Sequence, residues 1–71
     1  MDRLLVIDDD VELCRLLRSY LEAERFNVEE VHDGEQGVVR SLTGNHVLII
    51  LDVMLPGMSG IEVLRRVRME S

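Results

Sequence analysis

At 71 residues the chain has room for one small domain, and a domain of about that size buries only roughly 60% of its unfolded surface, so its core is thin. An apolar fraction of 46% with one Tyr, one Phe and no Trp excludes a disordered chain and points to an aliphatic core. A net charge of −6, from fourteen acids against eight basic residues that are all Arg, excludes the electrostatic footprint of a nucleic-acid-binding or membrane-surface module. A single Cys makes no internal disulfide, and no apolar run is long enough for a membrane span or signal peptide. The expectation is a cytoplasmic protein that binds neither nucleic acid nor membrane.

The first element is the apolar run Arg3 to Ile7, a central strand, followed at once by Asp8-Asp9-Asp10. From Asp10 to about Glu24, Leu13, Leu16, Leu17, Tyr20 and Leu21 recur at helical spacing, with Arg18 and Glu22 placed to pair on the outer face. Asp9 and Glu12 are spaced for a capping box at its start, and Asp10 is read as a solvated cap. Cys14 falls between the apolar positions as a small buried residue with nothing nearby to activate it.

Phe26 to Val31 is a weaker strand whose Glu29 and Glu30 place it at a sheet edge. Asp33 then caps a short helix, with Val38, Val39 and Leu42 as its buried stripe and two interior glycines, Gly34 and Gly37, that leave it dependent on tertiary packing. Thr43-Gly44-Asn45 stops it. His32 and His46 sit at strand boundaries without ligand spacing and read as structural.

Val47 to Leu51 is five apolar residues in a row, a strand buried on both faces, with Asp52 at its end. In open parallel sheets chemistry is usually done at the carboxyl ends of the strands, so Asp52 is the leading candidate. Met54-Leu55-Pro56-Gly57 forms a loop, and Ser59 with Glu62 opens a third helix whose apolar face is Ile61, Leu64 and Val67. Arg65, Arg66 and Arg68 read as the solvated end of that helix, where cations suit the dipole. The order βαβαβα with short connections is an α/β fold with a parallel sheet and right-handed crossovers.

If the first and third strands are parallel neighbours, their carboxyl ends bring Asp8, Asp9 and Asp52 together. Three carboxylates in one crevice repel, which raises their proton affinity or demands a cation, and oxygen-only ligands favour Mg²⁺. A divalent cation beside a carboxylate is also what that carboxylate needs to accept a phosphoryl group.

Val-Ile-Asp-Asp-Asp at residues 6–10, His-Asp-Gly-Glu-Gln-Gly at 32–37 and Leu-Asp-Val-Met-Leu-Pro-Gly-Met-Ser-Gly-Ile-Glu at 51–62 resemble the receiver domain of bacterial two-component response regulators. The resemblance covers all 71 residues. It implies phosphorelay signalling: Asp52 accepts a phosphoryl group from a sensor histidine kinase, Asp9 ligates Mg²⁺ directly, Asp8 acts on the metal through water, and the backbone carbonyl of Met54 supplies a further ligand. It implies a flavodoxin-like fold with helices on both faces, here represented by three parallel strands in the order 2-1-3. Residues 1–71 then make the N-terminal part of a receiver, lacking its fourth and fifth strands and the Ser or Thr and the Lys of the family's switch. Phosphorylation is expected to be impaired accordingly, and the chain is not read as an enzyme.

In the order 2-1-3 the Val47–Leu51 strand is itself an edge, and an apolar edge invites pairing with another chain. The expectation is an isologous homodimer through that strand. The alternative function is a scaffold or dimerisation fragment that is never phosphorylated. The Leu-Leu-Val-Ile-Asp-Asp-Asp stretch is also similar to the haloacid-dehalogenase phosphatases, but Glu12 stands where that motif wants Thr or Val, and the chain lacks their basic residue.

Overall fold

The computed structural model describes residues 2–70. Its elements are β1 (Arg3–Ile7), α1 (Val11–Ala23), β2 (Asn27–Val31), α2 (Gly34–Thr43), β3 (Leu48–Leu51) and α3 (Gly60–Glu70). The three strands are parallel in the order β2-β1-β3, and with β1 central, right-handed crossovers put α1 and α2 on opposite faces of the sheet. Register runs Arg3 to Asn27 and Ile7 to Val31 on one side of β1, and Leu4 to Leu48 and Ile7 to Leu51 on the other.

Strand alternation divides the core in two. Leu4 and Val6 turn to one face, where they meet Val28 and, from α1, Cys14, Leu17 and Leu21. Leu5 and Ile7 turn to the opposite face and pack with Val31, Leu55 and Val63, supported by Val38 of α2 and Val67 of α3. Helices therefore cover both faces, α1 alone on one and α2 with α3 on the other.

Glycine permits one of these contacts. A Cβ on Gly37 would stand 2.9 Å from Ile7 Cγ2, so the glycine that weakens α2 as a helix is what lets it lie close against β1.

The helix faces differ from the sequence expectation. In α1 the inward stripe is Cys14, Leu17 and Leu21, while Leu13, Leu16 and Tyr20 are exposed. In α3 it is Gly60, Val63 and Val67, while Ile61 and Leu64 are exposed. In α2, Val39 and Leu42 also face out, leaving Val38 as the inward member. Each helix carries apolar residues on a flank that three strands do not reach. The β3 expectation is corrected for the same reason: as an edge strand it has Leu48 and Ile49 exposed, and is not buried on both faces.

Candidate functional site

The site follows from the register of the two strands. Because Ile7 lies beside Leu51, the next residues, Asp8 and Asp52, leave the sheet side by side. The ladder extends one step to hold them: Asp52 N–H donates to the Ile7 carbonyl at 2.9 Å, and Asp8 N–H to the Val31 carbonyl at 3.1 Å. The carboxylates of Asp8, Asp9 and Asp52 each place an oxygen within 4.8 Å of the others.

Local hydrogen bonds orient two of the three. The Asp10 N–H donates to Asp8 Oδ1 at 3.0 Å, and the Met54 N–H donates to Asp52 Oδ1 at 3.1 Å. Such side-chain-to-backbone turns fix the carboxylate plane and occupy one oxygen. Capping of α1 falls to Asp10, which accepts from Leu13 N–H at 3.0 Å. The expected Asp9–Glu12 capping box is therefore replaced by a cap one residue later, and Asp9 stands exposed beside the crevice with no capping duty.

The loop after Asp52 is pinned from both ends. Leu55 is only 8% exposed and anchors the loop in the core, whereas Met54 is 82% exposed and free to vary as a side chain. Gly57 adopts φ +77°, which a side chain strains. At the far end Gly60 N–H donates to the Val53 carbonyl at 2.8 Å, and a Cβ on Gly60 would overlap the Asp52 carbonyl. Sequence reasoning reads Gly60, with Gly57, as a source of backbone freedom, whereas in the structure it permits a close backbone approach; the burial of Leu55 was not anticipated. The loop from Val53 to Met58 is apolar nearly throughout, so nothing in its composition marks Leu55 as the buried member, and the role of Gly60 is a matter of packing distance.

Three clustered acids with only oxygen donors, one of them solvent-exposed, fit a hard cation such as Mg²⁺, which takes one or two carboxylates and keeps several waters. Thiol and imidazole groups are not among these donors.

The remaining titratable residues do other work. The His46 side chain is buried and shares Glu29 with Arg40 and Arg3: His46 Nε2 lies 2.8 Å, Arg40 Nε 2.5 Å and Arg3 3.3 Å from its carboxylate. Arg3 also donates to the Gly44 carbonyl. The Arg40 guanidinium holds the Glu29 carboxyl below the usual range against the opposing effect of burial. His46 is thus structural, as expected, in a cluster that joins β2 to α2 and to the turn before β3. Burial, reinforced by the negative charge of Glu30 and Asp8, pushes the Cys14 thiol up to about 11. Arg65 and Arg66 are not merely solvated: both reach back to Glu62, and Arg66 also pairs with Glu35 of α2 at 3.5 Å.

A family model described as the response regulator receiver domain matches residues 4–71. The transcriptional regulatory protein ResD of Bacillus subtilis is 44% identical over 66 residues, which are 93% of this chain and 28% of ResD. A crystal structure of the response regulator TrrA of Thermotoga maritima in complex with Mg²⁺ and BeF superposes with a TM-score of 0.93 at 35% identity, covering 100% of this chain and 62% of TrrA. TrrA in complex with the histidine kinase ThkA gives a TM-score of 0.91. The chain thus spans under a third of that curated relative and about three-fifths of the solved structure.

Proposed function

Because this chain belongs to the response regulator receiver domains, the signalling domains of phosphorelays, we propose that Asp52 is its phosphoacceptor and that Asp8, Asp9, Asp52 and the Met54 backbone carbonyl hold Mg²⁺. The convergence of the three carboxylates at the carboxyl ends of β1 and β3 carries this reading. Asp52 Oδ1 is occupied by the Met54 N–H, which leaves Oδ2 as the attacking oxygen. The Oδ2–phosphorus bond forms as the bond from phosphorus to the donor's leaving atom breaks, and that atom keeps the electron pair. When bound, Mg²⁺ neutralises charge on the phosphoryl oxygens. By the family resemblance Asp9 would be the direct ligand and Asp8 would act through water, in keeping with an exposed, uncommitted Asp9 and an Asp8 tied to the Asp10 N–H.

The donor is read as a sensor histidine kinase, by analogy with the kinase bound to TrrA. The chain is then modified as a signal carrier and does not turn over substrates of its own. The 71 residues contain no Lys, so no ammonium from this stretch binds the phosphoryl oxygens, and a slow or incomplete phosphorylation follows. Incubation with acetyl phosphate and Mg²⁺ tests the reading. The expected product is an acyl phosphate that hydroxylamine removes and that does not form in the presence of a chelator. A hydroxylamine-stable product, or one formed equally without Mg²⁺, contradicts it.

For assembly, we propose that two copies pair through β3. Among the described residues it is an edge with Val47, Leu48 and Ile49 exposed, and Leu64 of α3 extends the apolar strip beside it. Two such edges meeting across a two-fold axis give a continuous six-stranded sheet. A monomeric mass by light scattering at micromolar concentration contradicts this assembly. None of the helices among the described residues is long and apolar enough to cross a membrane.

A further inference from the structure

Away from the aspartate crevice, the described residues bring together a second set of metal-competent side chains of different chemistry. Cys14, Glu30 and His32 offer a thiol, a carboxylate and an imidazole whose ligand atoms all lie within 4.8 Å of one another. Two elements create the juxtaposition. Glu30 lies beside Val6 in the sheet, Val6 packs with Cys14, and His32, one residue past the end of β2, reaches the Glu30 carboxylate at 2.9 Å. All three therefore meet where the first turn of α1 crosses the outer edge of β2.

Glu30 is the incompletely partnered member of the group. Its side chain is only 12% exposed, and one oxygen, Oε1, is 2.9 Å from His32 Nε2. The other, Oε2, is buried without a hydrogen-bond partner, and its nearest cation, Arg18 NH1, stands off at 3.7 Å while Arg18 Nε is engaged by Glu22 at 3.2 Å. A buried carboxylate oxygen without a donor is costly, and a metal ion would satisfy it. Asp8, Asp9 and Asp10 add negative charge next to Cys14, which favours a cation at this place.

We propose that Cys14, Glu30 and His32 form a Zn²⁺ site, three protein ligands with water in the fourth position, that clamps the start of α1 to β2. Thiolate and imidazole select zinc over the hard cations that suit an all-carboxylate pocket. With metal–ligand bonds of about 2.0–2.3 Å, neighbouring ligands of a tetrahedral zinc stand roughly 3.2–3.8 Å apart. The Glu30–His32 pair is already near that spacing, and Sγ needs to close by at most about 1.3 Å. His32, which is 40% exposed, has room to turn and supply the movement. On binding, the thiol proton leaves to solvent, a sulfur–zinc bond forms, and the bond from Cys14 Sγ to the Asp8 carbonyl at 3.3 Å is given up.

Titration of the chain with Co²⁺, a spectroscopic stand-in for zinc, tests the site. One equivalent is expected to produce thiolate-to-cobalt charge-transfer absorption that Zn²⁺ abolishes by displacement. Cys14→Ala removes the band, and His32→Ala and Glu30→Gln each weaken binding at least about tenfold. Zn²⁺ is further expected to raise the melting temperature of the chain and not that of His32→Ala, whose altered side chain lies outside the core, so the test survives if Cys14→Ala fails to fold. Absence of a charge-transfer band at one equivalent, or a band unchanged in both His32→Ala and Glu30→Gln, overturns the proposal.

Discussion

Gly60→Ala should damage the crevice from behind. Gly60 opens α3 directly under the Asp52 peptide: its added methyl would overlap the Asp52 carbonyl and stand 2.8 Å from Val53 Cα. Carbon atoms settle at about 3.5 Å, so about 0.7 Å of separation must be found between two stretches of backbone, neither of which is a flexible side-chain end. Ala is intrinsically better than Gly in a helix by up to about 1 kcal/mol, and less at the first position. Overpacking of this kind costs about 1–3 kcal/mol and outweighs that gain. In a domain of this size each kcal/mol moves the melting temperature by about 4–8 °C. A loss of roughly 4–20 °C is therefore expected by circular dichroism, together with weaker Mg²⁺ binding because Asp52 is displaced. Gly57→Ala is the control. Nothing lies within 4 Å of its Cβ position, so it should cost only the strain of φ +77°, about 1–2 kcal/mol, and leave Mg²⁺ binding unchanged. If Gly60→Ala melts like the parent chain, or binds Mg²⁺ as tightly as Gly57→Ala does, the packing argument is refuted.

The assignment of the α3 face gives a second test: Val63→Ala should cost about 2 kcal/mol from lost burial plus cavity, while Ile61→Ala, 62% exposed in the parent, should cost close to nothing in urea unfolding. Equal effects would restore the face expected from sequence. Cys14, buried and with its thiol pushed up to about 11, should react with alkylating reagents near pH 8 only as fast as the chain opens, so labelling at the rate of a free thiol contradicts its placement. The Arg65 and Arg66 contacts hold Glu62 at about 2 against an ordinary 4.5. A depressed carboxyl stabilises above its unfolded value and loses that contribution as pH falls through its folded one, so Glu62→Gln should flatten the acid unfolding curve between pH 4.5 and 2. An unchanged slope would mean that the pairing is lost to solvent, as exposed pairs often are.

Strands and the aspartate crevice were legible in the sequence because both depend on short-range order. Apolar runs mark Arg3–Ile7 and Val47–Leu51, the second observed from Leu48, and an acid directly after each must emerge at the same end of a parallel sheet. Asp33 and Ser59 were equally readable as caps, accepting from Gln36 and Glu62 N–H at 2.8 and 3.1 Å. Helix phase was not legible. Leu13, Leu16 and Tyr20 in α1 and Ile61 and Leu64 in α3 are apolar yet exposed, and periodicity reports which side chains are apolar, not which flank three strands happen to cover. The zinc-competent group escaped for another reason. Cys14, Glu30 and His32 are sixteen or more residues apart or on alternating strand positions, and only the crossing of α1 over β2 joins them.

The most direct measurement of the account is the intact mass of the chain after incubation with acetyl phosphate and Mg²⁺, beside the Asp52→Asn variant. Part of the parent sample is predicted to gain the mass of one phosphoryl group, and none of the variant. No gain in a folded parent sample, or the same gain in Asp52→Asn, contradicts the assignment of Asp52 as the phosphoacceptor.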